Sequence, residues 1–593
     1  MKKIFTKIFI ACMMVNSIVI LYSCSEDFLL KEPPGVASGP VMESPEGVEA
    51  LLIGAYSDLN GTSHYRSDFG GSMGSNWVYG SVASDDCYKG SSSGDQNDCN
   101  PIERYETLPT NLYVAVRWGD CYDGVSRANE TLERLWATQT GNRPIKDSRA
   151  KEIEAEAKFL RAWFHFEASK VFEKIPYIKT KTELGETLPE NIPNSGPVWD
   201  EIEADLQYAI DNLPEEHPLG EVGRANKYAA MAVKAHVHMY QNEFDEAKPL
   251  LNNIIESHQY ELVENYYDNY NQATENNKES IFEIQASTSS TNHTRIKLAG
   301  VVFPQAGPAG IGWGFFQPSQ DLFEAFQVTN DGLPILDDEE RVPLENDMGI
   351  ASSEEFIPTD HPLDPRVDWT IMRRGVDFLG WGICEGAGWI REQSNGGPYM
   401  TKKFMHTKEN AKLNVYGSGF DNGQNFRLYR LSHVLLWRAE VAAEENDLSY
   451  ARELVNQIRN RARGSDVVMG RVSTYVFDGR PIEVDWSKPA ANYKIEPYPE
   501  NADAFSSKEK ARKAVRLEQR LEFATEGMRF YDLRRWGIDG EVLNNFIEKD
   551  SQFRSFMLGA TYNPEQDDYW PLPQSQLDLQ KGVLQQDPAY ESK

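Results

Sequence analysis

Residues Leu431–Arg463 read LSHVLLWRAEVAAEENDLSYARELVNQIRNRAR, and this stretch decides the fold. Its first half is strongly apolar, with small residues at Ala439, Ala442 and Ala443, and a polar break follows from Glu444 to Asp447. Beyond the break, Leu448, Ala451, Leu454, Val455 and Ile458 recur at i, i+3, i+6, i+7 and i+10, which places one apolar stripe on a helix. The two halves predict a helical hairpin. The same pattern stands 204 residues earlier (439 less 235), between Asn226 and His258. There Ala235, Ala247, Leu250, Asn252 and Ile254 coincide with Ala439, Ala451, Leu454, Asn456 and Ile458. Small residues at matched places across a helix-turn-helix suit closely packed pairs, and repetition of such pairs predicts a stacked helical scaffold.

Working outward, the composition supports a large core: 593 residues, 40% of them hydrophobic and 11% aromatic. The formal charge of −31 argues against a nucleic-acid partner, because phosphates require a basic face. It equally disfavours adsorption to anionic lipid headgroups.

The N-terminus reads as an export signal. Lys2, Lys3 and Lys7 precede the apolar run Ile8 to Leu21, too short to span a bilayer. Leu21-Tyr22-Ser23-Cys24 resembles a bacterial lipobox, so residues 1–23 are expected to be removed and Cys24 to carry the lipid. Two acyl chains with a third on the amine anchor a protein stably. Glu26 and Asp27 just beyond resemble the tag of surface-exposed lipoproteins. Residues 24–43, with Pro33, Pro34, Gly35 and Pro40, read as the lipidated tether. The body divides into 44–280, mainly helical, and 281–593.

Cys12 leaves with the signal, and Cys87, Cys99, Cys121 and Cys384 show no zinc-type spacing. Cys87 and Cys99 flank a Gly/Ser-rich loop, and the sequence leaves open a disulfide or two free thiols. Ser44 is an expected N-cap, with Pro45 at N1, for a helix to about Leu59. Further helices are expected over Tyr113–Trp136, Arg149–Phe172, 198–213 and Ala225–His258. IFEIQAS from Ile281 reads as a strand, and 287–426 as loop-rich. Ala511–Ala524 is a last strong helix, with Gly527 near its C-cap.

The run RLEFATEGMRFYDLRRWG, Arg520–Gly537, resembles the signature of the SusD/RagB family of nutrient-binding outer-membrane lipoproteins. PLPQSQLDLQKGVLQQDPAY, Pro571–Tyr590, is similar to the family's C-terminal text, with Asp587 and Ala589 where Asn and Gly are usual. Ala157–Tyr177, Trp199–Pro214, Glu279–Ile284, Asp364-Pro365-Arg366 and the two hairpins match in order. The resemblance implies a mainly α fold: four tetratricopeptide-like helix pairs, an α/α superhelix cradling a large irregular, loop-rich, ligand-facing region. It implies a glycan ligand and a SusC-like TonB-dependent transporter as partner, with this chain as its lid. A peptide-binding member of the same family, and a structural lid with no strong site of its own, are the alternative readings.

Sugars are held by flat apolar rings against their C–H faces, with hydrogen-bonding groups at the rim. Rings in irregular segments are therefore the candidates. Trp77 and Tyr79 lie in the first long loop with Asp85 and Asp86. Trp313, Phe315 and Phe316 lie in GPAGIGWGFFQPSQ (307–320), and Trp381 and Trp389 in GWGICEGAGWI (380–390). The resemblance places aromatic platform residues in loops near the first two. Arg374 is a further polar candidate. Trp163, Trp437 and Trp536 sit in helical text and are expected in the core.

Enzymatic readings find little support. Gly70-Gly71-Ser72-Met73-Gly74 satisfies G-x-S-x-G, but its lead-in, HYRSDF, is polar and its exit is no helix. His236 and His238, two apart on a helix, face different ways and do not share a metal. Neither a phosphate loop nor an EF-hand pattern is present, and no cofactor is expected; an incidental calcium site stays open. Arg529, Arg534 and Arg535 around Glu526 and Asp532 read as structural ion pairs.

Overall fold

The computed structural model describes residues 39–61, 73–217, 220–288, 293–294, 304–309, 312–411 and 423–590. The signal, Cys24 and Ser72 lie outside the described residues. The main helices are α1 (Pro45–Ser57), α2 (Leu112–Thr140), α3 (Asp147–Phe172), α4 (Trp199–Asn212), α5 (Lys227–Tyr240) and α6 (Phe244–Glu256). After a long excursion come α7 (Leu431–Glu444), α8 (Leu448–Gly464), α9 (Lys508–Phe523), α10 (Arg529–Arg535) and α11 (Asp539–Asp550). The strands longer than two residues are β1 (Cys87–Gly90), β2 (Ser280–Ile284), β3 (Phe315–Pro318), β4 (Phe426–Arg430), β5 (Met469–Val472) and β6 (Val484–Pro489). The fold is mainly α, as the hairpins implied.

Each helix from α1 to α7 packs on its neighbour in the stack, α1 on α2 and so on through α6 on α7; α7 then packs on α8 and α9. The chain leaves the stack after Glu256 and rejoins it at Leu431, yet α6 and α7 meet as if nothing intervened. The neck of this excursion is closed by β2 against β4, antiparallel, with Ser280 opposite Arg430 and Ile284 opposite Phe426. The loop-rich segment is thus held on a two-stranded stem between the two copies of the hairpin.

Both hairpins turn alike. Asn242 and Asn446, also 204 apart (446 less 242), adopt left-handed φ of 60° and 62°. Asn tolerates that region better than most L residues. In the second hairpin, α7 is buried all round from Leu431 to Ala443, which is why its first half reads as continuously apolar. The stripe of α8 turns Ala451, Leu454, Val455 and Ile458 inward. Asn252 accepts a hydrogen bond from Arg438 Nε at 2.8 Å, tying one hairpin to the other. Ser44 caps α1 as expected, its hydroxyl accepting from Gly47 N–H at 3.1 Å.

Beneath the stem lies a buried cluster of charges. Arg430 pairs with Glu279, Glu522 and Glu526, and Arg461 with Glu279 and Glu522. Arg366 pairs with Asp364, Glu518 and Glu522; Arg459 pairs with Glu518 and Lys403 with Glu526. Segments far apart in sequence (Glu279, Asp364-Pro365-Arg366 and the 520–527 run) therefore converge on one network. Burial pushes the Glu522 carboxyl up, but Arg461, Arg430 and Arg366 outweigh it and hold it well below the carboxylate range.

Gly527 does not terminate α9, whose cap is Ala524 followed by left-handed Thr525. It serves close approach instead: a Cβ on Gly527 would stand 2.1 Å from Ser75 O, and one on Gly80 would stand 1.8 Å from Gly527 O.

Candidate functional site

The described part of the first long loop, from residue 73 onward, is not open. From residue 77 it forms a helical turn, Trp77–Val82, pressed backbone to backbone on Gly527. Trp77 is fully buried, its ring 6.2 Å from that of Phe315 and 5.7 Å from that of Phe316. Tyr79 is buried edge-on against Trp570 at 5.0 Å, with the Arg117 guanidinium over its ring. Phe315 is buried on β3, which pairs with β1. The expectation that Trp77, Tyr79 and Phe315 present ring faces to a ligand is corrected: glycines in this loop permit close backbone packing, so the rings fill the core.

Asp85 is likewise structural. Its carboxylate accepts from Arg529 Nε and Nη2, both at 2.8 Å, and pairs with Arg520 at 2.9 Å. Burial raises its pKa, yet the two guanidinium charges prevail and hold it far below the usual range. Asp86, which shares Arg520, is raised by burial. Arg374 is buried and donates to the carbonyls of Ala351, Ser352, Glu354 and Tyr475. Arg535 pairs with Glu440 and Asp532, the structural role expected of the arginines after Gly527.

Trp389 is 5% exposed, covered by Gly307, where a Cβ would stand 2.7 Å from the indole. Two of the candidate rings reach solvent. Trp381 is partly exposed, its Nε1 donating to His406 O at 3.2 Å, which fixes the indole's orientation. Trp313 is 41% exposed. In a regular strand, residues 313 and 315 would share a face. Gly314, at φ +71°, breaks that alternation and leaves Trp313 outside while Phe315 goes in. Trp163 and Trp437 are core as expected, whereas Trp536 is partly buried, donating to Glu440.

Sequence reading missed Trp486, which is 56% exposed on β6. The signal for it was present: an aromatic among Asp485, Ser487 and Lys488 in a strand whose neighbours face water.

Cys87 and Cys99 are both buried free thiols rather than a disulfide, with the Cys99 thiol raised by burial. His236 stacks on Trp437 at 4.8 Å, while His238 Nδ1 lies 2.8 Å from Glu243, so the two do point apart. Glu203, His238 and Glu243 bring ligand atoms within 4.8 Å of one another. Gln241 donates to Glu203 at 2.8 Å, so the group ties α4 to the α5–α6 turn.

A stack of helical hairpins carrying an irregular excursion on a two-stranded stem defines a helical-repeat scaffold protein with an aromatic-bearing insertion. More particularly, the chain belongs to the SusD family: the family's model matches residues 278–590. A second family model, described as starch-binding associating with outer membrane, matches residues 28–239. The SusD-like protein P25 of Formosa agariphila is 24% identical, the match covering 96% of this chain and 97% of that protein. Among solved structures, a SusD-like protein from Bacteroides fragilis superposes with a TM-score of 0.67 at 21% identity, covering 93% and 99% of the two chains. Surface glycan-binding protein A from Bacteroides thetaiotaomicron, in complex with laminarihexaose, gives 0.63 at 21% identity, covering 92% and 99%. At these identities the structural likeness speaks for the fold. Among the described residues, no helix is long and apolar enough to cross a membrane.

Proposed function

We propose that this protein is a non-enzymatic glycan-binding lipoprotein of the outer membrane. It is anchored through Cys24, faces the cell exterior, and delivers captured oligosaccharide to a SusC-like TonB-dependent transporter. The observation that carries this reading is the exposure of Trp313 and Trp381 on the loop-rich excursion, beside glycines that free the backbone to present a ring. An indole offers a large rigid face with an electron-rich surface, onto which the polarised C–H face of a sugar packs. Family membership, and the naming of one structural neighbour as a laminarin-binding SusD-like protein, support a glycan over other ligands.

The test is affinity electrophoresis of the mature chain without residues 1–24 against a polysaccharide panel. Comparison is with Trp313→Ala/Trp381→Ala, with a cooperative thermal unfolding transition required to show that the variant is folded. Retarded migration that the double variant loses supports the reading; no retardation by any polysaccharide overturns it. The alternative of a structural lid draws on the burial of Trp77, Tyr79, Phe315 and Asp85. It predicts uptake that survives removal of both exposed rings yet fails when the protein is deleted.

A further inference from the structure

A cleft of about 600 Å³ opens between the β5–β6 hairpin and the segment after Asp364-Pro365-Arg366. Trp369, Trp486, Leu379, Asp377, Asp466 and Met469 line it. Its volume falls in the range of small-ligand sites, about 300–1,000 Å³.

The two indoles in this cleft are seated differently from the core tryptophans. Trp486 stands at an irregularity of the β5–β6 ladder, between Asp485 opposite Arg471 and Pro489 opposite Met469. Its ring rests on Gly470, at φ +105°, where a Cβ would come within 2.8 Å of the indole. A glycine beneath the ring lets one part of the indole bed on backbone while 56% of the residue stays open. Trp369 is locked from behind. It stacks on Tyr267 with ring centroids 4.8 Å apart, and its Nε1 donates to Asp466 O at 2.8 Å. Both rings are thus held before any ligand arrives, which lowers the entropy cost of binding.

The charged side chains lining the cleft are acidic; Lys402, which donates to the Asp377 carbonyl at 2.7 Å, and Lys488, paired with Asp485, are not among the lining residues. Asp377 and Asp466 are on its wall, and among the described lining residues there is no Lys or Arg. Behind them, the Asp268 carboxyl is raised by burial and then by the charges of Asp466 and Glu264, against a smaller opposing pull from Arg427. Carboxylates accept hydrogen bonds from sugar hydroxyls but repel uronate and sulfate groups.

We propose that this cleft is a second sugar subsite, distinct from the Trp313 and Trp381 rings, that takes neutral oligosaccharide and discriminates against anionic glycans. The inference rests on the glycan-binding reading above. It extends that surface along the 376–384 hairpin, where the Asp377–Ile383 bridge joins Leu379 of the cleft to Trp381.

The experiment titrates the mature chain and Trp486→Ala with laminarin, starch and mannan as neutral probes, and with alginate and polygalacturonate as anionic ones. The expected result is an unchanged unfolding temperature for Trp486→Ala and about a tenfold loss of affinity for any neutral glycan the wild type binds. Anionic probes should bind the wild type at least about tenfold more weakly, and Asp466→Asn should narrow that gap. Undiminished binding of the neutral probe by Trp486→Ala overturns the subsite alone, as does equal affinity for alginate. Binding of no glycan by the wild type overturns the glycan reading and the subsite together.

Discussion

Glu522 is the most consequential single carboxylate in the buried network. It is fully buried, accepts from Arg366 Nη1 at 3.0 Å and Arg430 Nη1 at 2.5 Å, and also accepts from Arg461. Around it, Arg366, Arg430, Arg459, Arg461 and Lys403 face Asp364, Glu279, Glu518, Glu522 and Glu526, so five cations meet five carboxylates. Glu522→Gln keeps the shape and leaves one positive charge uncompensated in the interior. Breaking a buried pair from one side costs about 3–5 kcal/mol. The expected loss is therefore about 3–5 kcal/mol, read as the shift in urea midpoint multiplied by the denaturant slope. Adding Arg461→Met to Glu522→Gln restores neutrality, and the double variant should recover at least about 1 kcal/mol relative to the sum of the single variants. Glu522→Gln within about 1 kcal/mol of wild type, or a double variant that simply adds the two losses, would refute the account of a charge-balanced core.

Acid sensitivity follows from the same cluster. Burial pushes the Glu526 carboxyl up, but Arg430 and Lys403 hold it at about 2, below its ordinary 4.5. Because the folded value is the depressed one, its stabilisation is complete above pH 4.5 and fades as pH falls toward 2, amounting to about 3 kcal/mol. Unfolding free energy measured by urea titration should fall through that window, and a flat profile there contradicts it. Trp77→Ala should cost about 3–5 kcal/mol in the same titration, whereas Trp313→Ala should stay within about 0.5 kcal/mol. Equal stability of the two variants would place Trp77 outside the core. All four of Cys87, Cys99, Cys121 and Cys384 should resist iodoacetamide in the native chain and react in denaturant without reductant. A missing pair of adducts by mass spectrometry would mean a disulfide.

Much of the scaffold was legible because helical periodicity is local. The α8 stripe from Ala451 to Ile458 and the Ser44 cap are each settled within a few turns of chain, and the 204-residue repeat is a comparison of two such local patterns. The candidate rings were legible only as a set. Trp77 and Trp313 share the same glycine-rich text, yet one is enclosed and the other is 41% exposed.

By itself, then, the sequence determined the hairpins, their repetition, the strand at Ile281 and the family signature, since each depends on residues close in the chain. Only the tertiary structure decided which aromatics face solvent. Ring exposure depends on approaches between segments hundreds of residues apart, such as Gly80 on Gly527 and Trp77 on Phe316. It also decided that Glu279, Arg366 and Glu522 form one network. Their charges are unremarkable one by one, and become a core only when burial forces each to find its partner.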